Sequence, residues 1–438
     1  MSLTAHQKEK LDESLAILKN GKRLLISGSA GVGKTYLVNE LVKKLRVGMP
    51  FKKIICSAPT NKAVAVVKGK VDEFENLEFA TVHSSLKIKK EVNYKTGAVS
   101  FKPFYSEKYP PLKGVGLFII DEGSMLNRDL LAYVEEHAEA RGVTVVFIGD
   151  KKQLNPIGEE ESPIFTAGYP EVELTEIIRQ GEGNPIIELS RNLDIIQKKE
   201  SKRVQENANS GANMGYIFSN DLDQVIETLA AVNGTDELKY LAWTNKEVDT
   251  INTRVRERIY GTPAKVEIGE TLIFNSPYSD SYFTNQEIKV ESAEIISKDF
   301  MYPSGKTSGI INTTTYKPIK LKCYSVNASF SLGAQEKTEE IIIIHEDAET
   351  DYNKLLKNLK SMCIARIIEW VDYYKFMEQF ADTKYNHAIT VHKSQGSTYE
   401  QAIVNIKNLS LNRNITEKKR LLYTTVTRAA RLLILYKT

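Results

Sequence analysis

The stretch that most constrains this chain is Gly28-Ser-Ala-Gly-Val-Gly33-Lys34-Thr35. It follows a short apolar run, Arg23 to Ser27, and leads into a helical pattern, Tyr36 to Leu45, so GxxxxGKT lies between a strand and a helix, where that motif carries its meaning. In such a loop the backbone N–H groups and the helix N-terminus cradle the β-phosphate of a nucleotide. Lys34 neutralises the β and γ oxygens, and the Thr35 hydroxyl holds Mg²⁺. Gly28, Ser29, Ala30, Gly31, Val32 and Gly33, with Lys34 and Thr35, are therefore the expected phosphate loop, and the chain reads as an NTPase.

The other half of such a site is a carboxylate at the end of a second parallel strand. The run Leu117 to Ile120 has the continuous apolar character of a buried parallel strand and ends in Asp121-Glu122. Asp121 is expected to hold Mg²⁺ through water, and Glu122 to position or deprotonate the attacking water. A third strand, Val143 to Ile148, ends in Gly149-Asp150-Lys-Lys-Gln153, which places Gln153 to sense the γ-phosphate. Strand, helix, strand, helix, strand predicts a doubly wound parallel sheet with its site at the carboxyl edge.

At 438 residues there is room for about three domains, and 42% hydrophobic with 26% charged residues suits a globular enzyme. A net charge of +3 does not mark a nucleic-acid binder, so any basic surface has to be local. Cys56, Cys323 and Cys363 are far apart without paired spacing, which argues against a disulfide framework or structural zinc and for a reducing compartment. The N-terminus is charged and no apolar run approaches membrane-spanning length, so a cytoplasmic protein is expected.

Far downstream lies AITVHKSQGSTYE, Ala388 to Glu400, a buried-strand pattern that runs into a polar elbow. In chain order, GSAGVGKT, SAPTNKA (57–63), ATVHSSLKI (80–88), IIDEGSM (119–125), GDKKQLNPI (149–157), LTEIIRQ (174–180), AWTNKEVDTIN (242–252), VHKSQGST (391–398) and LLYTTVTRA (421–429) follow the motif series of superfamily 1 helicases. The chain resembles most the Dda-type helicases of tailed phages, of the B-type that translocate 5′ to 3′ on single-stranded DNA, over essentially its whole length.

The resemblance implies two RecA-like P-loop domains with parallel sheets, ATP in the cleft between them and single-stranded DNA across their top. The implied limits are 1–86 with 114–180 for the first, ATP-binding domain, and 181–261 with 382–438 for the second. A β-hairpin pin (87–113) is inserted in the first, and an SH3-like β-barrel plus helix (262–381) in the second. His392 to Ser397 resembles the loop that touches both strand and nucleotide, with Gly396 on the nucleotide side. Arg428 from the second domain, and Arg179 from the domain junction, reach the γ-phosphate when the cleft closes, the arginine-finger logic.

Gln7 has two readings: the N3 member of a helix capping box, or the glutamine that in related helicases recognises adenine and so selects ATP. The implied nucleic-acid contacts are Pro59, Thr60, Asn61, Thr81, His83 and Ser84 on the first domain, and Trp243, Asn245, His392, Lys393 and Ser394 on the second. Trp243 has a core reading of equal weight.

Lys87 to Lys113 carries seven lysines against two glutamates, a local +5, with Tyr94, Phe101, Phe104, Tyr105 and Tyr109 interleaved. Tyr94-Lys-Thr-Gly97 reads as a hairpin tip. Basic charge with stacking rings suits a single-strand or fork contact, and the resemblance puts Phe101 at the pin's stacking position.

Glu182 to Ser210 reads as helical, Ala264 to Ile344 as strands of period two, and Glu346 to Phe380 as helix. His137, His345 and His387 share no spacing and read as ordinary. The expected partners are single-stranded and forked duplex DNA, with a single-strand-binding protein in the same pathway. A monomer working in the cytoplasm of a host cell is expected if the chain is phage-encoded. Sequence alone leaves open an RNA-dependent remodelling enzyme and a single-strand-binding recruiter timed by ATP.

Overall fold

The structure is a computed structural model that describes residues 3–48, 52–93, 96–176, 184–194, 196, 203–206, 213–232, 237–261, 264–276, 278, 286–307, 313–332 and 335–437. Its first sheet contains β1 (Arg23–Gly28), β2 (Lys53–Ala58), β3 (Leu77–Thr81), β6 (Val115–Ile120), β7 (Thr144–Gly149) and β8 (Glu171–Leu174). The order is β3-β2-β6-β7-β1-β8 and every pairing is parallel. The central strands VGLFII and TVVFIG are buried at every position, as a parallel sheet covered on both faces requires, while β8 at the edge alternates. One face packs Leu24, Leu37 and Leu41 with Val146; the other packs Phe118, Val134 and Phe147.

The hairpin of β4 (Ile88–Val92) and β5 (Val99–Pro103) leaves this domain between β3 and β6, with Lys90 paired to Phe101. Tyr94 and Lys95 of the expected tip lie outside the described residues.

The second sheet is built from β9 (Arg203–Glu206), β10 (Asn213–Ser219), β11 (Leu238–Ala242), β17 (Ala388–Thr390), β18 (Tyr399–Asn405) and β19 (Ala429–Tyr436). Its order is β17-β11-β18-β19-β10-β9, parallel except for β9 at the edge. Among its described residues the polar stretch expected as helix holds the short helix Pro185–Arg191 and a strand, β9, with much of the remainder outside the described residues. Its mixed polarity gave neither period enough length to be told apart.

Between β11 and β17 lies an antiparallel sheet of β12 (Thr271–Phe274), β13 (Glu287–Lys306), β14 (Thr314–Leu332), β15 (Gln335–Ile344) and β16 (Thr383–Tyr385). β16 pairs with β12, so the chain returns to the second sheet after Tyr385 rather than at residue 382. The single helix expected over Glu346 to Phe380 is two, Glu346–Ile364 and Trp370–Met377. Arg366 between them takes a left-handed φ of 59°.

Trp370 ties the hairpin to this inserted sheet and its helices. The hairpin's Gly97 has φ +70°, and a Cβ there would fall 2.3–2.7 Å from indole carbons of Trp370. The Tyr374 hydroxyl donates to Gly97 O at 3.3 Å. Only glycine meets both the left-handed backbone and the indole face. Gly97→Val is expected to lift the hairpin off Trp370, read as faster hydrogen exchange over residues 88–103 with global unfolding unchanged. Unaltered exchange would show that the contact does not hold the hairpin.

Candidate active site and nucleic-acid interface

The carboxyl ends of β1, β2, β3, β6 and β7 open on one edge of the first sheet, where the predicted phosphate-loop, carboxylate, Gln153 and strand-contact groups stand, whereas Gln7 lies in the helix Ala5–Asn20 ahead of β1. After β1, Gly31 (φ 85°) and Gly33 (φ 77°) bend the loop into the helix Lys34–Val47. A Cβ on Gly28 would meet Leu174 O at 2.7 Å and Val32 Cγ2 at 2.8 Å, so no side chain fits where the loop crosses β8. Lys34 Nζ donates to Gly28 O at 2.6 Å and Ser29 O at 3.0 Å, which holds the ammonium inside the loop.

After β6, Asp121 donates its N–H to Ser57 O at 2.8 Å, and its Oδ1 accepts from Glu122 N–H at 2.8 Å. Glu122 takes a left-handed φ of 50°, a backbone state that costs a non-glycine residue about 1 kcal/mol and clusters at working sites. Both carboxylates keep some surface but lie deep in the cleft, and burial pushes both above the usual carboxylate range. For Glu122, Arg428 and Lys34 pull back toward the ionised form, and Asp121 and Asp150 add to the push.

Among the described residues, four buried side-chain amide atoms have no hydrogen-bond partner, and two of them, Gln153 Oε1 after β7 and Gln7 Nε2, belong to the residues expected at the nucleotide. Leaving such an atom unpaired costs roughly 1–3 kcal/mol, so each is a fitting partner for a bound nucleotide. Gln7 also closes a capping box with Thr4, its Oε1 accepting from Thr4 N–H at 3.4 Å. The capping reading holds, and because capping occupies the oxygen it leaves the NH₂ group unpaired among the described residues. Among the described residues no three His, Cys, Asp or Glu cluster as a metal cage. Thr35 and Asp121 suit an ion that draws its other ligands from phosphate and water, as Mg²⁺ does.

The second sheet supplies the facing half. Thr390 ends β17 opposite Ala242, the last residue of β11, whereas Gln401 of β18 stands opposite Leu238, the first. The elbow between them therefore travels from the carboxyl edge of the sheet to its amino edge, about 13 Å at strand rise. His392 stands at one end, 3.8 Å from Glu417. At the other end Ser397 O accepts from Arg428 Nη1 at 2.8 Å. Midway, Gln395 Nε2 donates to Leu154 O at 3.2 Å, and Thr424 Oγ1 accepts from Leu154 N–H at 3.1 Å. Both polar groups of one first-domain residue are thus paired by the second domain.

Tyr423 also crosses. Its hydroxyl accepts from Ala30 N–H at 2.9 Å and donates to Asp150 Oδ2 at 2.7 Å. Gly396 (φ +74°) lies against the helix Asn61–Lys68, where a Cβ would come within 2.8 Å of Ala63 Cβ.

On the nucleic-acid side, Pro59, Thr60 and Asn61 follow β2, Thr81 ends β3, and His83 and Ser84 follow it. Thr60 and Thr81 cap the helices after them by accepting from Ala63 N–H and Ser84 N–H, which leaves each hydroxyl proton to donate. His83 meets the hairpin's Phe101 edge-to-face with centroids 6.4 Å apart, and Phe101 stays 54% exposed. Burial lowers the pKa of His83 and of His392, which favours uncharged rings on this track.

Asn245 is exposed beyond β11, whereas Trp243 is half-buried against the second domain's core. Lys393 Nζ donates to Asn275 Oδ1 of the inserted sheet at 3.2 Å. Ser394 departs from expectation. It is fully buried, its hydroxyl donates to Val391 O at 2.7 Å, and its N–H points to Thr390 O and Val391 O, so it offers nothing to a strand. A serine inside a polar elbow looks exposed until the turn folds it inward. Arg179 lies outside the described residues.

Sequence reasoning missed Gln395, Thr424 and Tyr423, although all three stand inside quoted motifs. Their partners lie 241, 270 and, for Ala30, 393 residues away, beyond any local pattern.

A P-loop on one parallel sheet and an arginine-bearing segment on another, joined across a cleft, define a P-loop NTPase of the tandem RecA-like type. Residues 2–212 match the AAA domain family and residues 385–436 the UvrD-like helicase C-terminal domain. The ATP-dependent DNA helicase dda of Enterobacteria phage T4 is 26% identical over 431 residues, covering 92% of each chain. An uncharacterised protein of Acanthamoeba polyphaga mimivirus is 26% identical over 464 residues, covering 93% of this chain and 94% of its own. The ATP-dependent DNA helicase Pif1 of a Psychrobacter species is 24% identical over 449 residues, covering 90% of this chain and 63% of its own. A solved Pif1 helicase structure superposes with a TM-score of 0.50 at 17% identity, covering 99% of this chain and 92% of that one, which is a likeness of fold. Over nearly its whole length the chain is thus similar to the Dda- and Pif1-type helicases of superfamily 1B.

The glycine at 396 is the most direct test of the seam. Gly396→Val is expected to wedge the domains apart and lower DNA-stimulated ATP hydrolysis about tenfold, with thermal unfolding little changed. Full stimulation in this variant would show that close approach at Ala63 is not needed.

Proposed function

We propose that the protein is an ATP-dependent DNA helicase that moves 5′ to 3′ along single-stranded DNA and separates the duplex ahead of it, in DNA replication or recombination. The observation that carries this reading is the elbow, which runs from the strand-facing edge of the second sheet to the edge that holds Arg428, bonding to the first domain on the way. A change at either edge is thereby mechanically linked to the other.

In this reading the P-loop amides and Lys34 hold the β and γ phosphates, and Gln7 pairs with adenine through its free NH₂ group. Thr35 and Asp121 hold Mg²⁺, which screens the phosphate charge when bound. Glu122 takes the proton of the attacking water; since burial raises its pKa, hydrolysis falls as pH drops through that raised value and the carboxylate protonates. Gln153 reports the γ-phosphate. Arg428, and Arg179 with it, complete the charge around the transferred group on closure.

Pro59, Thr60, Asn61, Thr81, His83 and Ser84 form the first domain's share of the track, and Asn245, His392 and Lys393 the second's, with Trp243 contributing its exposed edge. Neutral donors suit a strand that is released in each cycle. Phe101 beside His83 gives the hairpin a ring with which to part the fork. We place its action on forked DNA in a host cytoplasm, as a monomer, with a single-strand-binding protein as neighbour.

Steady-state ATP hydrolysis with no polynucleotide, with poly-deoxythymidine and with poly-uridine tests this. Strong stimulation by the DNA alone is expected, and its loss in Glu122→Gln. Stimulation by the RNA alone would favour a remodelling enzyme, and equal rates in all three would refute a DNA-coupled motor.

A further inference from the structure

Tyr423 is only 3% exposed, in the last turn of the helix Ile415–Val426, yet the hydrogen bonds of its hydroxyl go to the other domain. Ala30 N–H and the Ser29 side chain join it to the P-loop, and Asp150 joins it to the turn that carries Gln153. Asp150 is itself fixed, because its Oδ1 accepts from Lys152 N–H at 2.9 Å. The next residue, Thr424, holds Leu154 N–H through its side chain and accepts from Arg428 Nε through its carbonyl at 3.1 Å. A single turn of helix therefore touches the P-loop, the Gln153 turn and Arg428.

Resting on the ATPase reading above, we infer that Tyr423 is a positioning residue for ATP hydrolysis, a latch that sets Arg428 in register with the P-loop and the Gln153 turn whenever the cleft closes. The chemistry asks for tyrosine. A hydroxyl accepts and donates at once, so it can pair a backbone N–H with a carboxylate, which phenylalanine of the same shape cannot. The bonds are also reversible: on opening, the Ala30 N–H and the Asp150 carboxylate return to water and no buried charge is left unpaired.

Tyr423→Phe keeps the ring and removes only the bonds. In DNA-stimulated hydrolysis its kcat is expected to fall about tenfold, with the affinity for ADP and the unfolding temperature close to wild type. Asp150→Ala is expected to lower kcat similarly, and the double variant to be no slower than the slower single, since both remove one link. A Tyr423→Phe kcat within about twofold of wild type, or losses that multiply in the double variant, would overturn the latch. If wild type itself is not stimulated by DNA, the ATPase reading fails instead. Stimulated wild type matched by Tyr423→Phe removes only the latch.

Discussion

The arrangement depends on one seam, and within it on the backbone of Leu154. Its N–H is held by Thr424 and its C=O by Gln395, so a first-domain residue one position beyond Gln153 is clamped by both the arginine-bearing helix and the elbow of the second domain. Arg420 with Asn155, Tyr423 with Ala30 and Asp150, and Gly396 against Ala63 extend the contact on either side. These contacts are hydrogen bonds and close packing rather than ion pairs. Individually such bonds contribute about 1 kcal/mol, and about 1.5–3 where Asp150 or Arg420 takes part, so the seam is a sum of modest links that can form and part repeatedly.

The inserted sheet and its helices serve a different end of the molecule. β13 and β14 are 20 and 19 residues long, and at their far end Lys306, Thr314 and Tyr316 bond to Glu369 and Asp372 around the helix Trp370–Met377. That helix presents the Trp370 ring on which Gly97 rests. A two-stranded hairpin is marginal by itself, so this support from another domain is what gives β4 and β5 a fixed direction.

Much of the first half of the site was legible because phosphate chemistry needs contiguous residues. A loop of backbone N–H groups, a lysine and a hydroxyl have to be adjacent in the chain, and a buried parallel strand ending in acids announces itself by composition. The apolar runs around Phe118 and Phe147 likewise fixed the central strands. The seam was not legible, because Ala30 and Tyr423 are 393 residues apart and nothing local distinguishes a tyrosine that leaves its domain from one that fills a core. The same holds for Trp370 and Gly97, whose contact depends on a 20-residue strand carrying one to the other. Ser394 shows the converse, a polar residue whose company suggested exposure and whose turn buries it.

If the seam couples nucleotide to strand, then by linkage each ligand must strengthen the other by the same factor. The direct measurement is the affinity for oligo-deoxythymidine with and without a non-hydrolysable ATP analogue, set beside the affinity for that analogue with and without the oligonucleotide. The account predicts a matching factor of about five or more in both directions. A factor of one in both would mean that the cleft closes without regard to the strand and would contradict it.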